Sequence, residues 1–533
     1  MKAITQWPRL LAHILRRDRI FLPVWLGAVI AFSVFFVPTI AELLGTEEEM
    51  TALAEMMTNP AMVAMCGILY GDTPSVGIIF TQLMIVWSAV LVAVMNILIV
   101  IRHTRTDEDE GRQEVVRSLP VGRGAHLVAV AVLMVGINLA LAIVAGLIMP
   151  AFGVESIDLA GSLVYAAALG GCGLFFAGLT MAAGQLLHSA RSVTGAMMAV
   201  MGGFYMLRAY GDVGSEPAAW MSPFGLIQRA YPFYTNQWGP VVILVGIGLG
   251  LMVAALALNR LRDLGQGLLP VRAGRHAHAS KLLGGEWGLA WRLNRGTIIG
   301  WGVGFAVIGA MYASALDGME EFVLSNPIYQ AMMGIGATTT DIMAPVVTTF
   351  LLINALLGAI PVLMVANALN SEESKGRMDY VISKKVSRTR VFAGYAVLVM
   401  ITAVAMQLLT ALGFWPVADW ALEDPLPASL IFKVAFNFGP ALVFLGGLVL
   451  FLVGWAKKFT WIGWGYVVAS FLLVMLGGIL NLPRWVSRLT PYGLLPRWPM
   501  EEFSWLPWLG LMVAGIGLSV LGAVGYRRRD IIT

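Results

Sequence analysis

The chain has 533 residues, of which 58% are hydrophobic and only 12% are Asp, Glu, Lys or Arg. Soluble domains carry about 25% charged residues, so this composition excludes an ordinary soluble globule, and it also excludes disordered, collagen-like and disulfide-rich chains. The formal net charge of +4 fits basic loops on the cytoplasmic side of a bilayer better than a nucleic-acid-binding surface. We therefore predict an all-α polytopic membrane protein.

Twelve apolar runs are long enough to cross a bilayer, which takes about 20 mostly apolar residues per helix. The first run follows a basic lead and is too long for the apolar core of a signal peptide. The fifth run is the weakest, because it is short and rich in Gly and Met. The predicted spans are 20–40, 78–101, 125–150, 160–186, 193–210, 240–258, 297–314, 346–369, 391–414, 429–455, 460–480 and 506–525.

The distribution of positive charge predicts how these spans are oriented. With the N-terminus in the cytoplasm, all but six of the 35 Lys and Arg residues fall on cytoplasmic segments. The outer loops at 41–77, 315–345 and 415–428 contain no Lys or Arg at all. This positive-inside pattern predicts that both termini are cytoplasmic. The six exceptions are Arg208, Arg229, Lys433, Arg484, Arg488 and Arg497.

Three short strings recur in the same order and at the same places relative to the spans, which indicates a tandem duplication. Both copies contain six spans, so they insert with the same orientation and form a parallel repeat. Each copy also begins with a basic, Trp-containing stretch typical of an interfacial elbow helix. We predict a first half at 1–258, a basic linker at 259–280 and a second half at 281–533. The strings are 58–60 with 325–327, 111–114 with 376–379, and 222–226 with 490–494.

A few polar and Met residues are candidates for a substrate path. Each outer Asn-Pro pair is expected to open a short Met-rich helix, because Pro suits the first turn and Met surfaces adapt to varied apolar ligands. Polar side chains within spans more often bridge helices than face a substrate. No span carries a central Asp, Glu, Arg or His, which argues against a buried proton relay. The candidates are Met65, Met332, Asn96, Asn138 and Asn354.

The loops that follow the second span of each half, 102–123 and 370–388, combine acidic residues with a Gly-Arg pair. Each is predicted to contain a short helix on the inner face. A solvated loop would account for the Arg residues, but not for the acidic cluster or for its repetition. We therefore predict that both loops dock a partner.

The first of these loops, with its Glu-Gly-Arg-Gln-Glu run at 110–114, resembles the inner loop of the ABC-2 type permeases. The likeness extends along the chain to the double-length polyketide antibiotic exporters, which include tetronasin-resistance-type subunits. In that family the loop is a coupling helix that docks on a separate ATP-binding subunit. Carried over, the docking residues are Arg105, Glu108, Glu110, Gly111, Arg112 and Glu114 in the first loop and Glu373, Gly376, Arg377 and Asp379 in the second.

The resemblance implies a permease subunit in the bacterial cytoplasmic membrane that exports hydrophobic, drug-like or lipid-like small molecules. Two copies of a separate ATPase would bind ATP and Mg²⁺, and no cofactor is expected on this chain, which has no GxxxxGK[ST] loop. The second loop departs from the pattern, because Lys375 replaces the acidic residue before Gly-Arg and Lys385 stands where the first loop has Pro120. The two docking sites are therefore expected to be unequal.

Three other readings of the sequence stay open. A proton-coupled carrier with two six-helix halves also carries an acidic residue near Gly-Arg in an inner loop. A membrane enzyme such as a lipid-linked transferase would need clustered acids or bases near an interface, and no such set or catalytic motif is found. A structural or immunity-type membrane protein would need no transport machinery.

Overall fold

The computed structural model describes the chain as two compact units, residues 1–273 and 274–533. Within the described residues every regular element is helical, and ten helices are long and apolar enough to cross a membrane. The prediction of an all-helical, multi-pass membrane protein is thereby confirmed. The described residues are 4–58, 60–71, 73–263, 265–269, 285–314, 316, 339–383, 386–422, 425–476 and 484–529.

Unit 1 contains fourteen described α-helices. The predicted short helix after the Asn-Pro pair is present and begins at Pro60. The helices are α1 (Trp7–Arg17), α2 (Phe21–Val34), α3 (Phe36–Leu43), α4 (Glu47–Met57), α5 (Pro60–Cys66), α6 (Val76–Ile101), α7 (Asp107–Asp109), α8 (Arg112–Arg117), α9 (Ala125–Ile148), α10 (Leu159–Leu186), α11 (Ala190–Gly214), α12 (Glu216–Trp220), α13 (Pro223–Gln228) and α14 (Gly239–Leu261).

In the described part of unit 2, the first helix is continuous from Glu286, so Trp287 and Trp291 lie on its first turns rather than on a separate elbow. In unit 1, by contrast, the elbow α1 is a helix of its own and ends before Asp18. The helices are α15 (Glu286–Ser314), α16 (Thr339–Ser374), α17 (Arg377–Ile382), α18 (Arg388–Ala421), α19 (Ala428–Asn437), α20 (Gly439–Trp455), α21 (Trp461–Leu476), α22 (Arg484–Ser487) and α23 (Trp505–Arg528).

The predicted fifth and eleventh spans are not among the ten apolar helices. The fifth corresponds to α11, which joins the two ends of unit 1. The backbone N–H of Ala190, its first residue, donates to Asp109 at 2.8 Å, while Arg208, near its last turn, donates to the carbonyl of Met65 at 3.3 Å. Its 25 residues make a helix about 37 Å long, which exceeds the hydrocarbon thickness of a bilayer. The eleventh corresponds to α21, which is described from 461 to 476.

Helices in unit 1 approach closely where glycines meet backbone. A Cβ built on Gly178 of α10 would lie 2.3 Å from the carbonyl oxygen of Gly248 on α14. In unit 2, a Cβ on Gly447 of α20 would lie 2.1 Å from the carbonyl oxygen of Gly515 on α23. Small residues allow this approach, and close van der Waals packing replaces the hydrophobic effect as the force between helices in lipid. The fourth and last predicted spans of each unit are therefore held together by backbone contact.

We expect Gly248→Ala to lower the free energy of unfolding by about 1–3 kcal/mol, because the added methyl group overpacks a helix contact. The Cβ at this position would lie 2.7 Å from the backbone carbon of Leu174, which no side-chain rotation can relieve. Thermal unfolding of the purified chain in mild detergent measures the effect.

Gly250→Ala is the matched control, since it lies two residues away on the same helix and a Cβ there meets nothing within 4 Å. It is expected to be neutral or stabilising by up to about 1 kcal/mol, because Ala favours helix more than Gly does. Equal unfolding temperatures for the two variants would contradict the packing described here.

Candidate functional site

The loop after the second span of unit 1, residues 102–123, is called loop A. Helix α6 continues into it through a π-helical segment, Arg102–Thr106, and then through α7. The chain reverses at Gly111, whose φ of 74° is left-handed, before α8 begins at Arg112. Nothing lies within 4 Å of a Cβ built on Gly111, so the backbone conformation alone favours glycine there. π-helical segments inside α-helices are rare and occur frequently at functional sites.

Glu108 fixes loop A to the rest of unit 1. Its carboxylate accepts two hydrogen bonds from Arg262, both at 2.9 Å, and one from Arg105 at 3.3 Å. The backbone N–H of Gly265 donates to the same carboxylate at 2.6 Å. All three charged side chains are at least 95% buried. Arg105, Glu108 and Arg262, which we call the Glu108 cluster, therefore join the end of α6 to the end of α14.

Arg105 extends the Glu108 cluster to a third helix. Its Nε donates to the carbonyl of Gly184 on α10 at 2.5 Å, and its Nη2 donates to the carbonyl of Gln266 at 3.1 Å. Arg105 and Glu108 together thus connect three of the spans of unit 1, α6, α10 and α14, at one end. Charge-assisted hydrogen bonds of this kind are about twice as strong as neutral ones.

Asp107 and Asp18 bind loop A to the elbow helix. Arg17 and Arg112 donate to Asp107 at 3.1 and 2.6 Å, and Arg102 donates to both oxygens of Asp18 at 3.0 Å. Burial raises the pKa of the Asp18 carboxyl, but the hydrogen bonds from Arg102 and the positive charges of Arg102 and Arg17 outweigh burial and hold this pKa below its ordinary value. The stabilisation from Asp18 is therefore present near neutral pH and is lost only as pH falls through the lowered pKa.

His103 lies inside the same connection and is fully buried. Arg17 Nη2 donates to His103 Nδ1 at 3.0 Å, which leaves Nε2 as the protonated nitrogen of a neutral ring. His103 Nε2 lies 3.0 Å from Asp18 Oδ2. The elbow helix and loop A thus form one hydrogen-bonded body, in which Gly122 also donates its backbone N–H to the carbonyl of Thr5 at 3.1 Å.

The predicted docking residues of loop A divide into two groups. Arg105 and Glu108 are buried and engaged within unit 1, so their side chains hold the loop in place rather than present charge to a partner. The others border the turn: Gly111 shapes it, and an exposed surface is formed by Glu110, Arg112, Glu114, Val115 and Leu119. Docking stays a prediction, and this exposed set, in which Arg112 contacts both Asp107 and Glu110, contains the side chains that a partner could reach.

Loop B, residues 370–388 of unit 2, repeats this arrangement. Gly376 has a φ of 67° and lies just before α17, and Arg377 donates two hydrogen bonds of 2.6 Å to Glu372. Glu373 is buried, and it accepts from Lys457 at 3.3 Å and from both terminal nitrogens of Arg529. We call Glu373, Lys457 and Arg529 the Glu373 cluster. Asp379 lies in α17, but its side chain is outside the described residues.

In each unit, the end of the last helix contributes an arginine to the buried cluster of that unit. Arg262 follows α14 and Arg529 follows α23, and each binds the buried glutamate of its own unit. The carbonyl of Arg262 accepts a hydrogen bond from Arg123 at 2.7 Å, and that of Arg529 accepts one from Arg388 at 2.9 Å. Corresponding arginines thus hold both loops.

Asn96 and Asn138, two of the substrate-path candidates, bind each other. Asn96 donates to Asn138 at 3.2 Å and Asn138 donates back at 2.7 Å, and each amide nitrogen also binds a carbonyl of its own helix. Both side chains are buried, so this pair bridges α6 and α9. The alternative of a helix bridge, which the sequence left open, is therefore the arrangement found.

The remaining path candidates have separate environments. Asn354 is fully buried in α16, and neither of its amide atoms has a hydrogen-bond partner among the described residues. The side chain of Met65 is partly buried, and its carbonyl accepts from Tyr205 at 2.9 Å. Met332 lies outside the described residues.

The opposite end of unit 1 contains a buried charged cluster that sequence reasoning missed. Asp212 lies 3.4 Å from Arg208 and 3.1 Å from Arg229, and all three side chains are at least 97% buried. Arg208 also donates to the carbonyls of Val63 and Met65, so it fastens α5 to α11. The available signal was the position of both arginines among the six exceptions to the positive-inside pattern.

Comparisons with known proteins identify one family. The sequence profile described as "Multidrug efflux system permease Rv1217c, C-terminal domain" matches residues 9–260 and 283–527. The chain is 32% identical over 541 aligned positions to the multidrug efflux system permease protein Rv1217c of Mycobacterium tuberculosis, and the alignment covers 98% of this chain and 94% of that protein.

We expect Glu108→Gln to lower the free energy of unfolding by about 3–5 kcal/mol, because it leaves Arg105 and Arg262 buried without a counter-charge. Thermal unfolding in detergent near neutral pH measures the loss.

Glu110→Gln serves as the matched control. Glu110 is half-exposed and pairs with an exposed arginine, so its removal is expected to change stability by less than about 1 kcal/mol. If both variants unfold with the wild type, the Glu108 cluster does not carry the stability assigned to it.

Proposed function

Because the chain belongs to the multidrug efflux permease family of Rv1217c, we propose that it is the membrane-spanning subunit of an ATP-driven exporter. Its substrates would be hydrophobic, drug-like or lipid-like small molecules, and separate ATPase subunits would supply the energy. The observation that carries the proposal is the build of loop A, in which an exposed short helix stands on a buried ionic support.

The Glu108 cluster is suited to transmitting the movement of a docked partner to the membrane spans. A partner bound at α8 would contact a helix whose base is bonded to α6, α10 and α14 through Arg105, Glu108 and Arg262. A buried, charge-assisted network resists deformation better than a solvated loop, because breaking it leaves a charge without a partner. A movement of α8 would then move three helix ends together.

A tandem duplication is the second part of the proposal. It is supported by the recurrence of the glycine turn, the Gly-Arg pair and the buried glutamate in loops A and B. Two loops imply two docking sites, one for each copy of the ATPase. The docking sites would be unequal, because Lys375 stands where loop A has Glu110. The buried supports also differ, since the Glu373 cluster contains Lys457 whereas the Glu108 cluster contains Arg105.

Twelve spans with cytoplasmic termini complete the proposed topology, in a bacterial cytoplasmic membrane. Helix α11 supports the fifth span, because it begins beside Asp109 in loop A and reaches the segment around Met65 at the far end of unit 1. Its modest hydropathy is explained by the buried Arg208 and Asp212, which face protein rather than lipid.

We expect Glu114→Arg to reduce association with the ATPase and nucleotide-dependent efflux by about tenfold or more, because reversing an exposed charge at a docking surface opposes a complementary partner. Glu114 is exposed, and no ion pair to it is found among the described residues, so the fold should be unchanged. Co-purification of the ATPase and efflux of a hydrophobic fluorescent dye from energised cells are the measurements.

Arg191→Glu is the control for Glu114→Arg, since Arg191 is exposed at the same end of unit 1 but lies outside loop A.

Dissipating the proton gradient while ATP is maintained distinguishes ATP-driven export from proton-coupled transport. Efflux that persists supports ATP-driven export, whereas efflux that stops at full ATP would overturn it in favour of a proton-coupled carrier.

Single cysteines test the span count, and the two native cysteines, Cys66 and Cys172, are buried. If α11 crosses the membrane, Gln237→Cys should react with an impermeant maleimide added to intact cells, and Ser118→Cys in loop A should react only after lysis. Both positions are exposed. Protection of the two positions alike would exclude the fifth span.

A further inference from the structure

A basic pocket lies beside loop A in unit 1, behind α8. Its lining includes four arginines, Arg105, Arg117, Arg123 and Arg262, and one acidic side chain, Glu108. Arg105 and Arg262 form its buried floor, while Arg117 and Arg123 are exposed at its rim. The pocket is therefore open to a ligand and strongly positive.

The positive charges of this pocket exceed the negative charges paired with them, even though Arg123 lies 3.4 Å from the exposed Asp263. The single carboxylate of Glu108 is shared by Arg105 and Arg262, which leaves one buried positive charge in excess. The ion pairs found at this pocket among the described residues involve Arg105, Arg123 and Arg262, and none involves Arg117. Uncompensated charge of this kind favours an anionic ligand.

Two buried polar atoms in the lining have no hydrogen-bond partner among the described residues. Arg262 Nε is a donor, and Gln185 Oε1 is an acceptor. Both side chains are more than nine-tenths buried, and both line the pocket. A ligand that satisfies both atoms needs an anionic oxygen for the guanidinium and a hydroxyl donor for the amide oxygen.

The position of the pocket suits the head group of a lipid. It lies where the apolar helices α6, α10 and α14 end and α9 begins, which is the depth at which the phosphates of a bilayer are found. Arginine is the side chain best matched to phosphate, because its planar guanidinium donates two parallel hydrogen bonds.

From these observations we propose that unit 1 holds a phosphate-binding site between α8 and the ends of α10 and α14, selective for a phosphate group that also carries a hydroxyl. The two sources of such a group are a hydroxylated anionic phospholipid, such as phosphatidylglycerol, and free inorganic phosphate.

The site is confined to unit 1 by sequence. At the offset of 265 that relates loop A to loop B, the position of Arg105 is Asn370 and that of Arg117 is Ile382. Loop B therefore lacks two of the four arginines, and the ligand would stabilise only one of the two loops.

The experiment measures thermal unfolding of the purified full chain in a neutral detergent. Short-chain phosphatidylglycerol is titrated against phosphatidylcholine with the same acyl chains, and inorganic phosphate is titrated against chloride at equal ionic strength. Ligand bound to the folded state raises the unfolding temperature by mass action. We expect a shift of several degrees with phosphatidylglycerol and none with phosphatidylcholine.

Arg117→Gln is expected to weaken the apparent affinity for phosphatidylglycerol about tenfold, the value of one charge-assisted hydrogen bond. Arg260→Gln is the matched control, because it removes an equal charge from the exposed end of α14, outside the pocket. Inorganic phosphate that shifts the unfolding temperature and competes with the lipid would identify free phosphate as the source.

The proposal is overturned if neither phosphate source shifts the unfolding temperature. It is also overturned if Arg117→Gln binds phosphatidylglycerol like the wild type, or if Arg260→Gln loses as much affinity, since general attraction to a basic surface would then suffice. The measurement requires no ATPase, so its outcome does not depend on the proposed mechanism of export.

Discussion

The ion pairs of the Glu108 carboxylate are the interaction that holds unit 1 together at the end where loop A lies. The carboxylate neutralises part of the charge on two buried guanidinium groups, Arg105 and Arg262, and through them it joins three helix ends. Removing the carboxylate or the guanidinium groups would leave the opposite charge buried without a partner. The free-energy cost of that unpaired charge makes the arrangement specific. Loop A is polar and yet firmly held, because Arg105 and Glu108, near its start, are buried inside the protein.

In unit 2 a buried glutamate also supports the loop, but different residues pair with it. Glu373 takes the place of Glu108, and Lys457 with Arg529 supplies the positive charge. Lysine is a compact point charge, whereas Arg105 has a planar group that reaches Glu108, Gly184 and Gln266 at once. The two loops are thus supported by cations of different shape, which gives a physical basis for unequal behaviour of the two loops.

The opposite end of unit 1 relies on a second buried cluster, in which Asp212 is paired with Arg208 and Arg229. The cluster places two charged side chains, Arg208 and Asp212, on α11, where they lower its hydropathy although both are buried in protein. Hydropathy counts residue types and carries no information about which face of a helix meets lipid.

The sequence by itself determined the membrane class, the helical architecture and the position of the two charged loops, because composition, run length and charge distribution are local properties. Only the tertiary structure decided which charges are available to a partner. Glu108 and Glu114 look equivalent in the sequence, yet Glu108 is buried against Arg262 and Glu114 is exposed. Arg262 lies 154 positions from Glu108, and no local pattern predicts a contact at that separation. Likewise, the sequence made Asn96 and Asn138 candidates for a substrate path. In the fold they lie opposite each other, and each forms a hydrogen bond with the other's amide.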